Sequence, residues 1–171
     1  MNKSYIVRKI TETDFSAIIK IANLSFPRSK HDLNYLFDIY IDNPFNYVAI
    51  NDTEEIVGYI LCLWDHIIDM DEKHITQDID DVLILDDRLI IESIAVSSDY
   101  RNKGIGFNLL NRLLSDIKET GDIMDLHLQV RISNVNAIKL YERIGFKKIR
   151  VLKDYYTHPA VEDGFLMGIF F

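Results

Sequence analysis

A single cysteine, Cys62, stands in the whole chain, so no internal disulfide can close. That scarcity fits a reducing cytoplasm, and Cys62, set in an apolar stretch, reads as a small buried hydrophobe. No apolar run reaches the ~18–20 residues of a membrane-spanning helix. Met1 to Tyr5 pass directly into a strand-like segment rather than a signal-peptide pattern. The expectation is therefore a cytoplasmic protein with no membrane association. Basic charge is also in deficit. Nineteen Lys and Arg face 27 Asp and Glu, a formal net charge of −8. Broad nucleic-acid binding needs a basic surface, so no nucleic-acid partner is expected. No Gly-Lys-Ser/Thr sequence marks a P-loop, no Ser-His-Asp arrangement is legible, and the histidines carry no zinc-ligand spacing. No metal is expected.

What is present suits one globular domain spanning 1–171. Hydrophobic residues make up 48% and charged residues 27% of a 171-residue chain, enough for a full core. Acid is concentrated between Asp65 and Asp87, where Asp69, Asp71, Glu72, Asp78, Asp80, Asp81 and Asp86 also fall. That stretch, about 65–87, reads as a solvated insertion or long hairpin, with attraction of a cationic peptide amine as the second reading.

The apolar periodicities predict the order β-α-α-β-β-β-α-β-α-β-β. Tyr5 to Ile10 alternates as a strand. Thr13 or Asp14 is placed to cap a helix with Phe15, Ile18, Ile19, Ala22 and Leu24 on its apolar face. Phe26-Pro27 breaks it, and a second helix fits His31 to Ile41. Phe45 to Ile50 and Ile56 to Trp64 form a hairpin, and Leu89 to Val96 is the next strand. Gly104 to Glu119 is a helix closed by Gly121, Met124 to Ile132 is a strand, and Asn134 caps a helix that Gly145 stops. Phe146 to Leu152 and Phe165 to Phe171 are the last strands. The fold class is α/β (α+β), a mixed sheet of about seven strands flanked by about four helices.

The stretch that aims at chemistry is Ile94 to Gly106, an apolar strand, a polar turn and then Arg101-Asn102-Lys103-Gly104-Ile105-Gly106 at the start of a helix. Glycines there let backbone approach a ligand, and the first helical turn offers unpaired N–H groups to an anion. A dinucleotide fingerprint would want a third glycine at position 109, where Leu109 stands. On these residues alone, an ordinary glycine entry to a helix stays open beside an anion cradle.

Further along come Val130-Arg131-Ile132-Ser133-Asn134, Ala137-Ile138-Lys139-Leu140-Tyr141, Gly145-Phe146, Asp154-Tyr155-Tyr156 and Glu162-Asp163-Gly164-Phe165-Leu166-Met167. With the turn, this ordered set resembles the GNAT superfamily of acetyl-CoA-dependent N-acetyltransferases. Within it, the set resembles the protein Nα-acetyltransferases of the ribosomal-protein alanine type and their archaeal relatives. The resemblance implies a bulged, splayed central strand pair and acetyl-CoA as cofactor. Arg101, Asn102, Lys103, Gly104, Ile105 and Gly106 would hold the pyrophosphate, and Ile94, Ala95 and Val96 the pantetheine arm. Asn134 and Tyr141 would contact the other end of that arm. Phe26 and Pro27 on one side, and Tyr155 and Tyr156 on the other, would wall a slot for the acceptor.

An α-amino group has a reference pKa of ~8 and a lysine ~10.4, so a chain terminus gives up its proton at roughly 3 kcal/mol less cost. Tyr141 matches the family tyrosine placed near the departing sulfur and is assigned as general acid. In the bacterial ribosomal-protein enzymes a glutamate stands twelve residues before that tyrosine; here the position is Gln129. Glu92, on the strand leading to the turn and two residues from Ile94, so expected on the same face, is proposed as base through water, with an edge or ion-paired structural glutamate as the alternative. His127 is the weaker candidate. The expected activity is acetyl transfer to the α-amino group of a protein or peptide N-terminus by a monomer or weak homodimer. A small-molecule amine acetyltransferase and a non-catalytic acyl-CoA-binding module are the alternatives.

Overall fold

The structure is a computed structural model that describes residues 4–26, 40–64 and 88–171. Seven strands and three α-helices lie within them: β1 (Tyr5–Lys9), α1 (Phe15–Ser25), β2 (Tyr47–Asn51), β3 (Ile56–Trp64), β4 (Arg88–Val96), α2 (Ile105–Thr120), β5 (Asp125–Arg131), α3 (Val135–Ile144), β6 (Lys147–Tyr156) and β7 (Glu162–Phe170). The helix expected over His31 to Ile41 falls almost wholly outside the described residues, as do the acidic 65–87 stretch and Pro27.

The strands form one sheet in the order β1-β2-β3-β4-β5-β7-β6. Every pair is antiparallel except β4 and β5, which run parallel. The sheet separates two apolar cores. The larger gathers Leu109, Leu110 and Leu113 of α2 and Ile138 and Tyr141 of α3 against Leu89, Ile91 and Leu126. The smaller gathers Phe15, Ile18, Ile21 and Ala22 of α1 with Tyr40, Tyr59 and Ala95. Burying each of the α2 leucines contributes about 1.5–3 kcal/mol to the attachment of this helix to the sheet. Gly58 permits its close seating. A Cβ there would lie 3.1 Å from the Ala95 carbonyl oxygen and 3.2 Å from Ile105 at the head of α2.

Four details differ from the sequence reading. A 3-10 turn, Glu12–Asp14, precedes α1, and the Asp14 carboxylate turns back to accept from the Thr11 N–H at 2.7 Å and from Arg8 at 2.6 and 2.8 Å. Ile21 takes the buried place assigned to Leu24, which is 75% exposed because it lies past the edge of the helix's inner face. β2 begins at Tyr47, since the Asn43 side chain takes the Phe45 N–H into a turn. β6 runs on to Tyr156, which places the tyrosine pair on a strand.

Candidate active site

β4 and β5 pair from Arg88↔Asp125 to Ile91↔Leu128 and then part, although β4 continues to Val96 and β5 to Arg131. On its other edge β4 slips register where it parts. Leu61 pairs with Ser93 and Cys62 with Ile91, leaving Glu92 as the extra residue of a bulge. A bulge bends its strand and interrupts the alternation of faces. Leu89 and Ile91 belong to the larger core, yet so do the contacts of Ile94 and Val96, while Ala95 belongs to the smaller one. Glu92 and Ser93 thus lie on the smaller-core side, where the Ser93 hydroxyl sits 2.8 Å from that of Tyr59. The expected shared face of Glu92 and Ile94 is corrected: strict alternation breaks at the bulge.

A cavity of about 790 Å³ opens at this split. Of the residues assigned from sequence, Phe26, Glu92, Ile94, Asn134, Tyr141, Tyr155 and Tyr156 line it, together with Gln129 and Arg131. It therefore has residues from both faces of the sheet on its walls. Ala95, Val96 and the turn from Arg101 to Gly106 are not among its lining residues. His127 is not either. It is 5% exposed near the start of β5, with Nδ1 3.3 Å from Asp125 and its ring against Phe170.

Tyr141 projects from α3 and is 7% exposed, its ring 5.7 Å from that of Phe146. Burial, and then Tyr156, push its hydroxyl well above the ordinary range, so it is protonated at neutral pH. Asn134 caps α3 as expected, its side-chain oxygen accepting from the Ala137 N–H at 3.3 Å.

The turn between β4 and α2 is shaped by two residues in the left-handed region, Asn102 (φ 59°) and Gly104 (φ 80°). The first bond of α2 runs from the Asn108 N–H to the Gly104 carbonyl, so the amides of Ile105, Gly106 and Phe107 precede the helical ladder. The cations of the turn brace it: Arg101 Nε donates to the Val96 carbonyl at 3.0 Å, and Lys103 Nζ donates to the Asp99 carbonyl at 2.5 Å. Two anchors escaped the sequence reading. Asn51 donates to the Tyr100 hydroxyl at 2.8 Å, and Asn108 donates to the Tyr5 hydroxyl at 2.5 Å, which tie the turn to β2 and β1. Free amides, a helix N-terminus and two nearby cations fit a phosphate-bearing cofactor.

The opposite wall is the β6–β7 hairpin. Tyr155 and Tyr156 meet edge to face, with ring centroids 5.0 Å apart. The Arg131 guanidinium lies 4.1 Å from the Tyr156 centroid, pairs with Glu162 at 3.0 Å and donates to the His158 carbonyl. Glu162 also accepts from the Ser133 N–H at 2.8 Å. The Ser133 side chain first, then its N–H and then Arg131, hold the Glu162 carboxyl below its ordinary range. Burial and Tyr155 push the Tyr156 hydroxyl up to about 12. The Arg131–Glu162 clasp was not singled out from sequence, because its partners lie 31 residues apart.

Residues 15–146 match the Acetyltransferase (GNAT) family. An N-alpha-acetyltransferase of Sulfurisphaera tokodaii is 33% identical over 170 residues, covering 97% of this chain and 93% of that protein. A [Ribosomal protein bS18]-alanine N-acetyltransferase of Escherichia coli is 36% identical over 88 residues, 51% of this chain and 58% of that protein. Among solved structures, Arabidopsis thaliana Naa50 in complex with the bisubstrate analogue CoA-Ac-MVNAL shares the fold, with a TM-score of 0.77 at 22% identity, covering 98% of this chain and 99% of that one. The chain belongs to the GNAT acetyltransferase family and is an acetyl-CoA-dependent N-acetyltransferase.

Proposed function

We propose that the acceptor is the α-amino group of a protein or peptide N-terminus. The observation that carries this reading is the cavity at the β4–β5 split, which brings Glu92 on the bulge, Tyr141 on α3 and the aromatic wall of Phe26, Tyr155 and Tyr156 to one space. An extended chain end fits between such walls, with its amine toward the split. The name of the Sulfurisphaera tokodaii relative supports the same acceptor class.

The cofactor, when bound, supplies the acetyl group as a thioester. The amides at the head of α2, with Arg101 and Lys103, would hold the pyrophosphate, and Ile94 to Val96 would offer the cofactor arm the edge of β4 that β5 has left. A backbone N–H on that edge would be free to stabilise negative charge on the carbonyl oxygen when the cofactor is bound. Glu92 accepts the proton from the entering amine through water, and the Tyr141 hydroxyl holds a proton for the departing sulfur. The raised position of Tyr141 suits this role, since the group stays protonated until sulfur charge develops. Gln129 lines the same cavity but has no carboxylate to take a proton.

Incubation with labelled acetyl-CoA and a panel of peptides, polyamines and aminoglycosides tests the reading. Label on peptide α-amines is expected. Label only on polyamines, aminoglycosides or internal lysines contradicts it, and cofactor binding with no turnover points to a non-catalytic module.

A further inference from the structure

Tyr40 is fully buried in the smaller core, and its hydroxyl makes no hydrogen bond among the described residues. A buried hydroxyl left unpaired is destabilising, and an internal water is the usual partner where the surroundings are polar. The backbone of Tyr40 is held firmly. Asn46, 1% exposed, donates to the Tyr40 carbonyl at 2.7 Å and accepts from the Cys62 N–H, and Cys62 pairs with Ile91 immediately before the bulge. One buried asparagine thus fastens Tyr40 to the strand opposite Glu92. Tyr59, in the same core, meets the Ser93 hydroxyl, and Ser93 lines the cavity.

The groups that act on one another here come from four strands, β3, β4, β5 and β6, and from Tyr40 itself. Burial, then the Glu92 carboxylate, Tyr59 and the Cys62 thiol push the Tyr40 hydroxyl up, so it keeps its proton and can donate it in a hydrogen bond. Tyr155 and Tyr156 of β6 also feel Glu92, and Arg131 of β5 acts on Tyr156. Gln129 of β5 lines the same cavity.

We propose that the Tyr40 hydroxyl holds an internal water against the Glu92 carboxylate, making Tyr40 a positioning residue for proton transfer at the bulge. The inference rests on Glu92 as the base. Tyr40 keeps its own proton throughout. Its hydroxyl donates to the water, the water donates to Glu92, and the proton from the acceptor amine ends on the Glu92 carboxylate. Losing that support makes the carboxylate easier to protonate.

The test is the pH profile of kcat/KM for a peptide acceptor. Tyr40→Phe should move the acid limb to higher pH by about half a unit or more and leave the KM for acetyl-CoA unchanged. An acid limb that stays in place overturns the proposal. Replacing Tyr40 with 2,3-difluorotyrosine keeps the shape and strengthens the donor, so the limb should move to lower pH; no movement again overturns it. Glu92→Gln separates the two ideas. If Glu92→Gln keeps the wild-type limb, the assignment of the base fails. If it moves the limb up to the acceptor's own titration while Tyr40→Phe moves nothing, only the Tyr40 proposal fails.

Discussion

The cofactor turn and the acceptor wall are braced over different distances along the chain. In the turn, Arg101 reaches back five residues to Val96 and Lys103 four residues to Asp99, and two left-handed residues set the path between them. In the wall, Arg131 reaches 31 residues to Glu162 and 27 to His158, while Ser133 reaches 29 to Glu162. The turn takes its path from bonds and dihedrals within its own sequence, and two long-range side-chain ties, Asn51 to Tyr100 and Asn108 to Tyr5, then fix it against β2 and β1. The wall takes its shape from β5 pressing on a hairpin, so small changes in that clasp can retune the acceptor without disturbing the cofactor. Between them lies the bulge at Glu92, where the proposed mechanism brings cofactor and acceptor together.

The largest expected effect falls at this meeting point. Tyr141→Phe should lower kcat by about 100-fold or more while leaving the KM for acetyl-CoA near wild type, because general-acid assistance is worth that much. Steady-state kinetics with a peptide acceptor checks it, and a kcat close to wild type removes Tyr141 from the chemistry. Glu92→Gln should cost about 10- to 100-fold in kcat/KM, most at low pH, where the free amine is scarcest. A pH series from the acid limb to the plateau reads this directly.

Two substitutions then set the two walls against each other. Arg131→Ala should raise the acceptor KM about tenfold and leave the acetyl-CoA KM unchanged, since Tyr156 and the His158 loop lose their brace. Gly104→Ala should do the reverse, because a side chain at φ 80° costs about 1–2 kcal/mol in the turn proposed to hold the phosphates. Equal effects of either change on both substrates would erase the distinction between the walls.

The smallest effect on activity is expected far from both. Burial alone would raise the Asp14 carboxyl, but Arg8 and Thr11 together hold it below its ordinary range. A depressed folded-state value means that its contribution is full above the unfolded value of ~3.9 and is lost as pH falls through the lower folded one. Asp14→Asn should cost about 1–2 kcal/mol of stability at neutral pH, discounted because Arg8 is partly exposed, and less as the pH drops toward 3. Thermal melts at several pH values check it, with kcat/KM unchanged.

The same contrast explains what was legible in the sequence. The glycine turn, the Asn134 cap and Tyr141 are short-range patterns, and all seven strands appear in the order their apolar alternation predicts. The bulge has no such mark. One residue left out of register between Leu61↔Ser93 and Cys62↔Ile91 looks like continuous alternation, so Glu92 was identified but set on the wrong face. The sequence reading ends this strand at Leu152, yet Lys153 and Asp154 are both held by Asp163 across the hairpin and β6 continues to Tyr156. Tyr5, Asn51 and the Arg131–Glu162 clasp depend on partners far along the chain, and Tyr40 on a buried asparagine. None of these contacts has a local signature.

The central claim, an α-amino acceptor, is tested most directly by one pair of peptides of identical sequence with an internal lysine, one with a free N-terminus and one N-terminally formylated. With acetyl-CoA and fragment mass analysis, a single acetyl group on the α-nitrogen of the free peptide and none on the formylated one is the predicted result. Equal acetylation of the lysine in both peptides, with the α-nitrogen unmodified, would contradict it.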